Sequence, residues 1–332
     1  MQHRRPTHSR PIPRTSPPIT IGDDDRVNLR QLEYLAALAR EGHFGRAAAA
    51  CHVSQPALST AIARLEAELG LELVRRGGRT AELTDEGRAV LPWAQGAVAA
   101  GASLTAEAAR LREELQGVLR LGVIPTAATA AAAVTDGLLR AHPGVRVQVR
   151  TMSADRITAG LRGHELDAGL LYVDDDPPGL AVRHLYRERL VLVTGAGRVA
   201  PGAREVPWSR VAGEPLCLLT PEMQHRRVVD EALARAGSAV VPRVEADGFG
   251  VLLDFVAAGW STVLSRPWLA GRVLPEGVRA IPLVRPAVAP WVGLVTAAGS
   301  PAPPVVAALR AALRDVDVAA ALHGAEPAAP DG

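Results

Sequence analysis

Two short helical segments joined by only two residues constrain this chain more than any other stretch. The spacing predicts a helix over 44–51, a connection of His52 and Val53, and a helix that starts at Ser54. Serine is a favoured capping residue, and Pro56 in the first turn needs no amide donor there. Leu58, Ile62, Leu65 and Leu69 recur at helical spacing, so one face points inward, and Gly70 ends the helix. An earlier helix spans 29–40, with Leu32, Leu35, Ala36 and Ala39 on one face and Gly42 at its end. After the third helix, 71–74 and 80–83 read as strands around the Gly77-Gly78 turn.

Three helices followed by a hairpin that carries Arg75, Arg76 and Arg79 make a winged helix-turn-helix. In such a module the third helix enters the major groove and the wing lies along phosphates. The formal net charge of the 332 residues is only +2, so DNA contact must come from this local arrangement.

The stretch 84–116 is helical in pattern. Thr84 caps it, Asp85 and Glu86 suit its N-terminus, and Val90, Leu91, Ala94, Ala97, Val98, Leu104, Leu111 and Leu115 form an apolar stripe that calls for a partner helix. From 117 the pattern becomes α/β. Strands are expected at 118–123, 145–150, 167–172, 190–193, 216–219, 241–245, 263–264 and 291–295. Helices are expected at 127–141, 153–162, 221–236 and 304–314. Residues 1–26, rich in Pro, Arg, Ser and Thr, read as a disordered tail without the apolar core of a signal peptide, and residues 321–332 as a loose tail.

Several chemistries are excluded. The chain contains no lysine, which rules out a P-loop lysine or a Schiff base. Its cysteines, Cys51 and Cys217, read as packing residues rather than a redox pair. No metal-ligand spacing, nucleophile motif or glycine-rich phosphate loop is present, so no enzyme, cofactor or metal is expected. The run Asp174-Asp175-Asp176 before two prolines reads as a polar turn rather than a cation site. No run of about 18 apolar residues exists, so no membrane span is expected and the chain reads as cytoplasmic.

Residues 28–91 resemble the DNA-binding end of LysR-type transcriptional regulators. The match is carried by Ser54-Gln55-Pro56-Ala57-Leu58-Ser59, Phe44 with Ala47-Ala48, Arg64-Leu65-Glu66, Glu68-Leu69-Gly70 and Leu83-Thr84 with Gly87. Weaker landmarks, Gly122, Pro143, Gly163 with Glu165 and Asp167, and Ala258-Gly259, extend it to about residue 315. The resemblance implies a winged helix-turn-helix over 27–86, a dimerisation helix over 87–116 and a two-lobed α/β effector domain, like periplasmic binding proteins, over 117–320. Lobe I would take 117–188 and 284–320, and lobe II 189–283. It also implies a homodimer or homotetramer on double-stranded promoter DNA.

By the same resemblance the DNA-facing residues are Arg30, Arg46, Ser54, Gln55, Pro56, Ser59, Thr60, Arg64, Arg76 and Arg79. A glutamine in the groove reads adenine through two hydrogen bonds, which singles out Gln55. The sequence departs from the family pattern at Gly45, Thr60, Ala61 and Glu82, so the base preference of Thr60 does not carry over. Effectors of two-lobed domains bind where strand ends meet helix starts. That points to Pro125, Thr126 and Ala127, and to Thr220 with Gln224 and Arg226. Tyr172, Thr194, Gly248 and Phe249 complete the cleft by resemblance. Helix N-termini favour anions, so a small carboxylate is the expected effector. The alternatives are a DNA-binding regulator without a ligand, a solute-binding protein and an enzyme.

Overall fold

A computed structural model describes residues 27–77, 80–111, 115–173, 177–298 and 302–323. The tail 1–26, Arg79 and Asp174–Asp176 lie outside them, as do residues 324–332 of the expected loose tail. Contacts divide the chain into two compact units, Met1–Leu91 and Pro92–Gly332.

In the first unit, α1 (Leu29–Glu41) starts at an Asn28 cap with Gln31 closing a capping box, and stops at Gly42 in the left-handed conformation. His43 caps α2 (Phe44–Ala50), and Ser54 caps α3 (Gln55–Leu69). Gly70, at φ 65°, terminates α3. Leu35, Leu38, Ala47, Ala48, Leu58, Ile62 and Leu65 close the core between these helices. Each buried Leu or Ile contributes roughly 1.5–3 kcal/mol. The wing is an antiparallel pair, β1 (Val74–Gly77) and β2 (Thr80–Leu83). Its first strand begins at Val74 rather than Leu71. The cause is Glu66 of α3, whose carboxylate accepts the amides of Leu73 at 2.9 Å and Val74 at 3.0 Å and so holds this part of the chain against the helix.

Thr84 starts α4 (Asp85–Arg110), its hydroxyl accepting the Gly87 amide at 2.9 Å and donating to the Glu72 carbonyl at 2.6 Å. The helix is shorter than the apolar pattern suggested. Leu115 is not part of it but sits buried in the core of the second unit.

The second unit holds two sheets with helices packed on them. Lobe I has the strand order β4-β3-β5-β13-β6: β4 (Val145–Thr151), β3 (Gly117–Val123), β5 (Ala168–Tyr172), β13 (Trp291–Ala297) and β6 (Leu180–Arg187). Helices α5 (Ala130–Ala141), α6 (Ala154–Arg162), α11 (Pro304–Ala312) and α12 (Val318–His323) cover it. Lobe II has the order β11-β7-β12-β8: β11 (Thr262–Ser265), β7 (Leu190–Gly195), β12 (Val278–Val284) and β8 (Val206–Pro207). Beside it lies a parallel pair, β9 (Cys217–Leu219) and β10 (Val244–Ala246). Its helices are α7 (Trp208–Val211), α8 (Gln224–Arg235), α9 (Phe249–Ala257) and α10 (Arg266–Leu269). The chain crosses between lobes after β6 and again after β12. No helix among the described residues is long and apolar enough to cross a membrane.

Two expected helix starts are displaced. Pro125–Ala127 forms a separate 3-10 turn, and α5 begins only at Ala130. Helix α8 begins at Gln224 rather than Pro221. Thr220 to Met223 form a turn closed by the Met223 amide on the Thr220 carbonyl at 3.0 Å, and extended Met223 precedes the helix. Neither Thr126 nor Thr220 is therefore a helix cap.

Candidate nucleic-acid interface and effector cleft

Helix α3 presents Ser54, Gln55, Pro56 and Thr60 to solvent, with Ser59 half-buried. The Ser54 hydroxyl accepts the Ala57 amide at 3.4 Å. Gln55 lies alongside Gly45: a methyl group there would stand 3.5 Å from Gln55 Oε1 and 3.1 Å from the His43 ring. Gly45 thus leaves room for both side chains at the helix start. Arg64 is exposed, but its Nε is paired with Glu68 at 2.7 Å along its own helix. Glu68 also accepts from Gln31 Nε2 at 3.1 Å, which ties α3 to α1. Arg30 is exposed in the first turn of α1. Arg46 is exposed and hydrogen-bonded to the Glu41 carbonyl. Arg76 lies on β1 opposite Ala81, and exposed Arg75 opposite Glu82.

In the second unit Thr126 and Thr220 stand at the two strand-to-helix junctions, one in each lobe. Both hydroxyl oxygens are enclosed, that of Thr220 with no hydrogen-bond partner among the described residues and that of Thr126 with the Tyr172 hydroxyl beside it. An enclosed hydroxyl without a partner costs about 1–3 kcal/mol, so such groups mark places where water or a ligand belongs. Pro125 and Ala127 are buried beside Thr126 in the 3-10 turn. Helix α8 points its N-terminus, with no acidic residue in its first turn, from the Thr220 junction.

Other expected effector residues are already engaged. Gln224 grips the backbone of Tyr172, its Oε1 accepting the Tyr172 amide and its Nε2 donating to the Tyr172 carbonyl, both at 3.0 Å. This joins α8 of lobe II to β5 of lobe I. Arg226 was expected to meet an anion. Its guanidinium instead binds Asp230 at 2.9 Å, Glu245 at 2.6 Å and the Leu219 carbonyl at 2.9 Å. Two carboxylates neutralise it, so it braces α8 against β9 and β10. The Thr194 hydroxyl donates to Ser261 Oγ at 2.6 Å, and Ser261 donates to Glu214 at 3.0 Å, so Thr194 serves an interior network. Phe249 is buried, edge-on to both His225 and Trp268, and Gly248 precedes its helix.

Sequence reasoning missed Glu188 and Ser265, which are buried around Tyr172 together with His225, a residue legible beside Gln224 at the Thr220 junction. A surface groove of about 670 Å³ in lobe II, lined by Arg235, Leu283, Arg285 and Val288 among others, contains none of the expected residues.

Neither cysteine is set up as a reactive thiolate. Cys217 is buried in β9, its thiol donating to the Leu252 and Ser261 carbonyls, and burial pushes its pKa up to about 11. Cys51, at the end of α2 in the other unit, is also raised, chiefly by burial.

Two family models cover most of the chain: the bacterial regulatory helix-turn-helix of the LysR family over residues 29–88, and the LysR substrate binding domain over 112–317. A probable hydrogen peroxide-inducible genes activator of Mycobacterium xenopi is 40% identical over 180 residues, spanning 54% of this chain and 95% of that protein. The DNA-binding transcriptional dual regulator OxyR of Escherichia coli is 31% identical over 283 residues, spanning 83% of this chain and 91% of its own. Among solved structures, a full-length Pseudomonas aeruginosa OxyR with a cysteine-to-aspartate change superposes with a TM-score of 0.72 at 25% identity, over 88% of this chain and 96% of that one. This chain belongs to the LysR family of DNA-binding transcription regulators, with a helix-turn-helix unit and a two-lobed effector-binding domain.

Proposed function

We propose that the chain is a homo-oligomeric regulator that reads promoter DNA with α3 and responds to a small polar effector held between Thr126 and Thr220. The observation that carries the effector reading is the pair of enclosed hydroxyls, one from each lobe, of which that of Thr220 has no partner among the described residues. With Arg226 neutralised by its own carboxylates, the positive end of α8 is the field that favours an anion here, and a small carboxylate fits it. Assembly through α4 is supported by its open apolar side chains, Trp93 at 81% and Leu104 at 74% exposed. On the DNA side Gln55 is the base reader, with Ser54 and Ser59 on phosphates. Arg30, Arg46, Arg76 and Arg79 supply sequence-independent affinity. Gln55→Ala is expected to lower affinity for the preferred site about 5- to 150-fold, the loss of one bidentate contact, and to flatten sequence preference. Competition binding with single-base variants of the site checks this, and unchanged preference removes Gln55 from the interface.

The names of the relatives favour a second reading, in which peroxide is the signal. Oxidation of a cysteine requires an accessible thiolate, and the burial and raised pKa of Cys217 and the raised pKa of Cys51 oppose that. A chain carrying both Cys51→Ser and Cys217→Ser is expected to keep its DNA binding and its thermal shift with small carboxylates. Peroxide treatment of the parent chain is expected to leave DNA binding unchanged. A peroxide-dependent change that the double variant lacks would establish thiol sensing instead. Loss of every carboxylate shift in Thr126→Val, with the fold intact, is the result expected of the cleft.

A further inference from the structure

Tyr172 ends β5 in lobe I, Glu188 lies at the crossover between β6 and β7, and His225 opens α8 in lobe II. All three are buried. The Tyr172 hydroxyl stands 3.4 Å from Glu188 Oε2 and 3.3 Å from His225 Nδ1. Glu188 Oε1 accepts the Arg189 amide at 2.9 Å and the Ser265 hydroxyl at 3.0 Å. His225 Nε2 lies 3.0 Å from the Val263 carbonyl.

Counting protons fixes the direction of this chain. A carbonyl only accepts, so His225 Nε2 carries a hydrogen. In the neutral ring Nδ1 is then an acceptor, and the Tyr172 phenol donates to it. A phenol has one hydrogen, so it goes to His225 while Glu188 brings its own proton to the contact, and turns to Glu188 Oε2 when that carboxyl is ionised. The sequence is Glu188 O–H to Tyr172 O–H to His225 Nδ1, with Nε2–H on Val263. Burial favours the same uncharged arrangement: it pushes the Glu188 carboxyl up to about 8 and the His225 ring down to about 4.

The surrounding charges have other partners. Arg187 of β6 lies over the Trp291 ring at 4.6 Å and donates to the Ala289 carbonyl. The Arg189 side chain is exposed. Arg266 of α10 gives its amide to the Arg189 carbonyl. On α8, Arg226 is held by Asp230 and Glu245, and Arg227 by Asp155. Tyr186 of β6 is buried near Glu188, which helps keep its phenol protonated, and Thr126 lies beside the Tyr172 hydroxyl.

We propose that Glu188, Tyr172 and His225 form a one-proton latch between the lobes, closed while Glu188 holds its proton and released when that proton passes to solvent. The Gln224 grip on the Tyr172 backbone lies next to the latch and opens with it. Because Thr126 adjoins the Tyr172 hydroxyl, a molecule entering the cleft there meets the latch directly. The latch itself does not depend on which effector fills the cleft.

The test compares the full-length chain with Glu188→Gln, whose amide N–H donates to Tyr172 as the acid does but does not titrate. Glu188 keeps its proton in the folded state up to about pH 8 and loses it in the unfolded chain within the ordinary carboxyl range. Its stabilisation is therefore complete at low pH and is lost as pH rises towards 8. His225 acts oppositely, between its ordinary 6.5 and about 4. From pH 6.5 to 8 the remaining His225 contribution is common to parent and variant and cancels in the comparison. There the folding constant of the effector unit is expected to fall by up to about tenfold per pH unit in the parent, relative to Glu188→Gln. Hydrogen exchange of the peptide carrying the Tyr172 amide should accelerate over the same interval, again relative to the variant. Parallel stability curves, or parallel exchange, overturn the latch. If Glu188→Gln does not fold, infrared spectroscopy of the parent decides. A buried protonated carboxyl band at pH 7 that vanishes through about pH 8 supports the latch, and its absence at pH 7 overturns it.

Discussion

Gly87→Ala is expected to bring the DNA-binding unit to the edge of unfolding, and to weaken promoter binding with it, while leaving the effector unit folded. Gly87 lies in the first turn of α4, and a methyl group on it would stand 2.1 Å from the Leu73 carbonyl oxygen. That contact is with backbone, so no side chain can turn aside. The Leu73 carbonyl already accepts the Thr84 amide at 3.0 Å, and the amides of Leu73 and Val74 are held by Glu66. Relief would break the seam that seats the wing against α3. The cost is about 3–5 kcal/mol, the range of severe core disruptions. A small domain has only about 5 kcal/mol or little more to lose. Calorimetry should show the transition of the first unit displaced far downwards or missing, with that of the second unit in place. Fluorescence anisotropy should show affinity for operator DNA falling with the folded fraction of the first unit as its lowered midpoint is approached, at temperatures where the parent still binds.

Trp208→Ala is expected to do the opposite. Trp208 is fully buried in lobe II, clustered with Leu190, Leu192, Val211, Leu233 and Ile281. It opens α7, which packs against α8, the helix that carries Gln224 and His225. Truncating a buried tryptophan leaves a cavity and costs about 3–5 kcal/mol. In a domain of this size each kcal/mol moves the midpoint by about 2–4 °C, so the effector unit should melt about 6–20 °C lower. Thermal shifts with carboxylates should vanish near the lowered midpoint, and the transition of the first unit should stay where it was. A single transition that moves as a whole in both variants would contradict two separately folding units.

The local signals most legible in the sequence were those that end helices. Gly42 and Gly70 adopt the left-handed conformation, and Ser54 caps α3, because each of these residues acts through its own backbone or hydroxyl. Strands that carry charge on a half-buried face were not legible. β6 contains Arg183, His184 and Arg187, and β12 contains Arg279 and Pro282, so neither offered a clean alternation. Helix α9 was hidden because Gly248 and Gly250 read as a turn. The start of α8 was placed early because Pro221 suits the first turn of a helix, whereas the Thr220 amide pairs with the Ala246 carbonyl and a separate turn over Thr220 to Met223 precedes the helix.

The two sites divide in the same way. Thr126 and Thr220 were legible as effector candidates because each stands where a strand gives way to a helical segment, a placement that needs no tertiary information. Arg226 looked like an anion ligand because Glu245, which joins the i+4 residue Asp230 in neutralising it, approaches only in the fold. Glu188 sits in the run Tyr186-Arg187-Glu188-Arg189, which reads as a solvated turn. Nothing local reveals that its middle carboxyl points inward and pairs with residues from two other elements.

Recognition of promoter DNA by this chain is read from equilibrium binding of the full chain to double-stranded DNA flanking its own gene, measured over a salt series. The account predicts saturable binding at low salt that outcompetes unrelated DNA. It also predicts that log affinity falls linearly with log salt, with a slope of about −0.9 for each phosphate contacted. No saturable binding at low salt, or equal affinity for unrelated DNA, would contradict it.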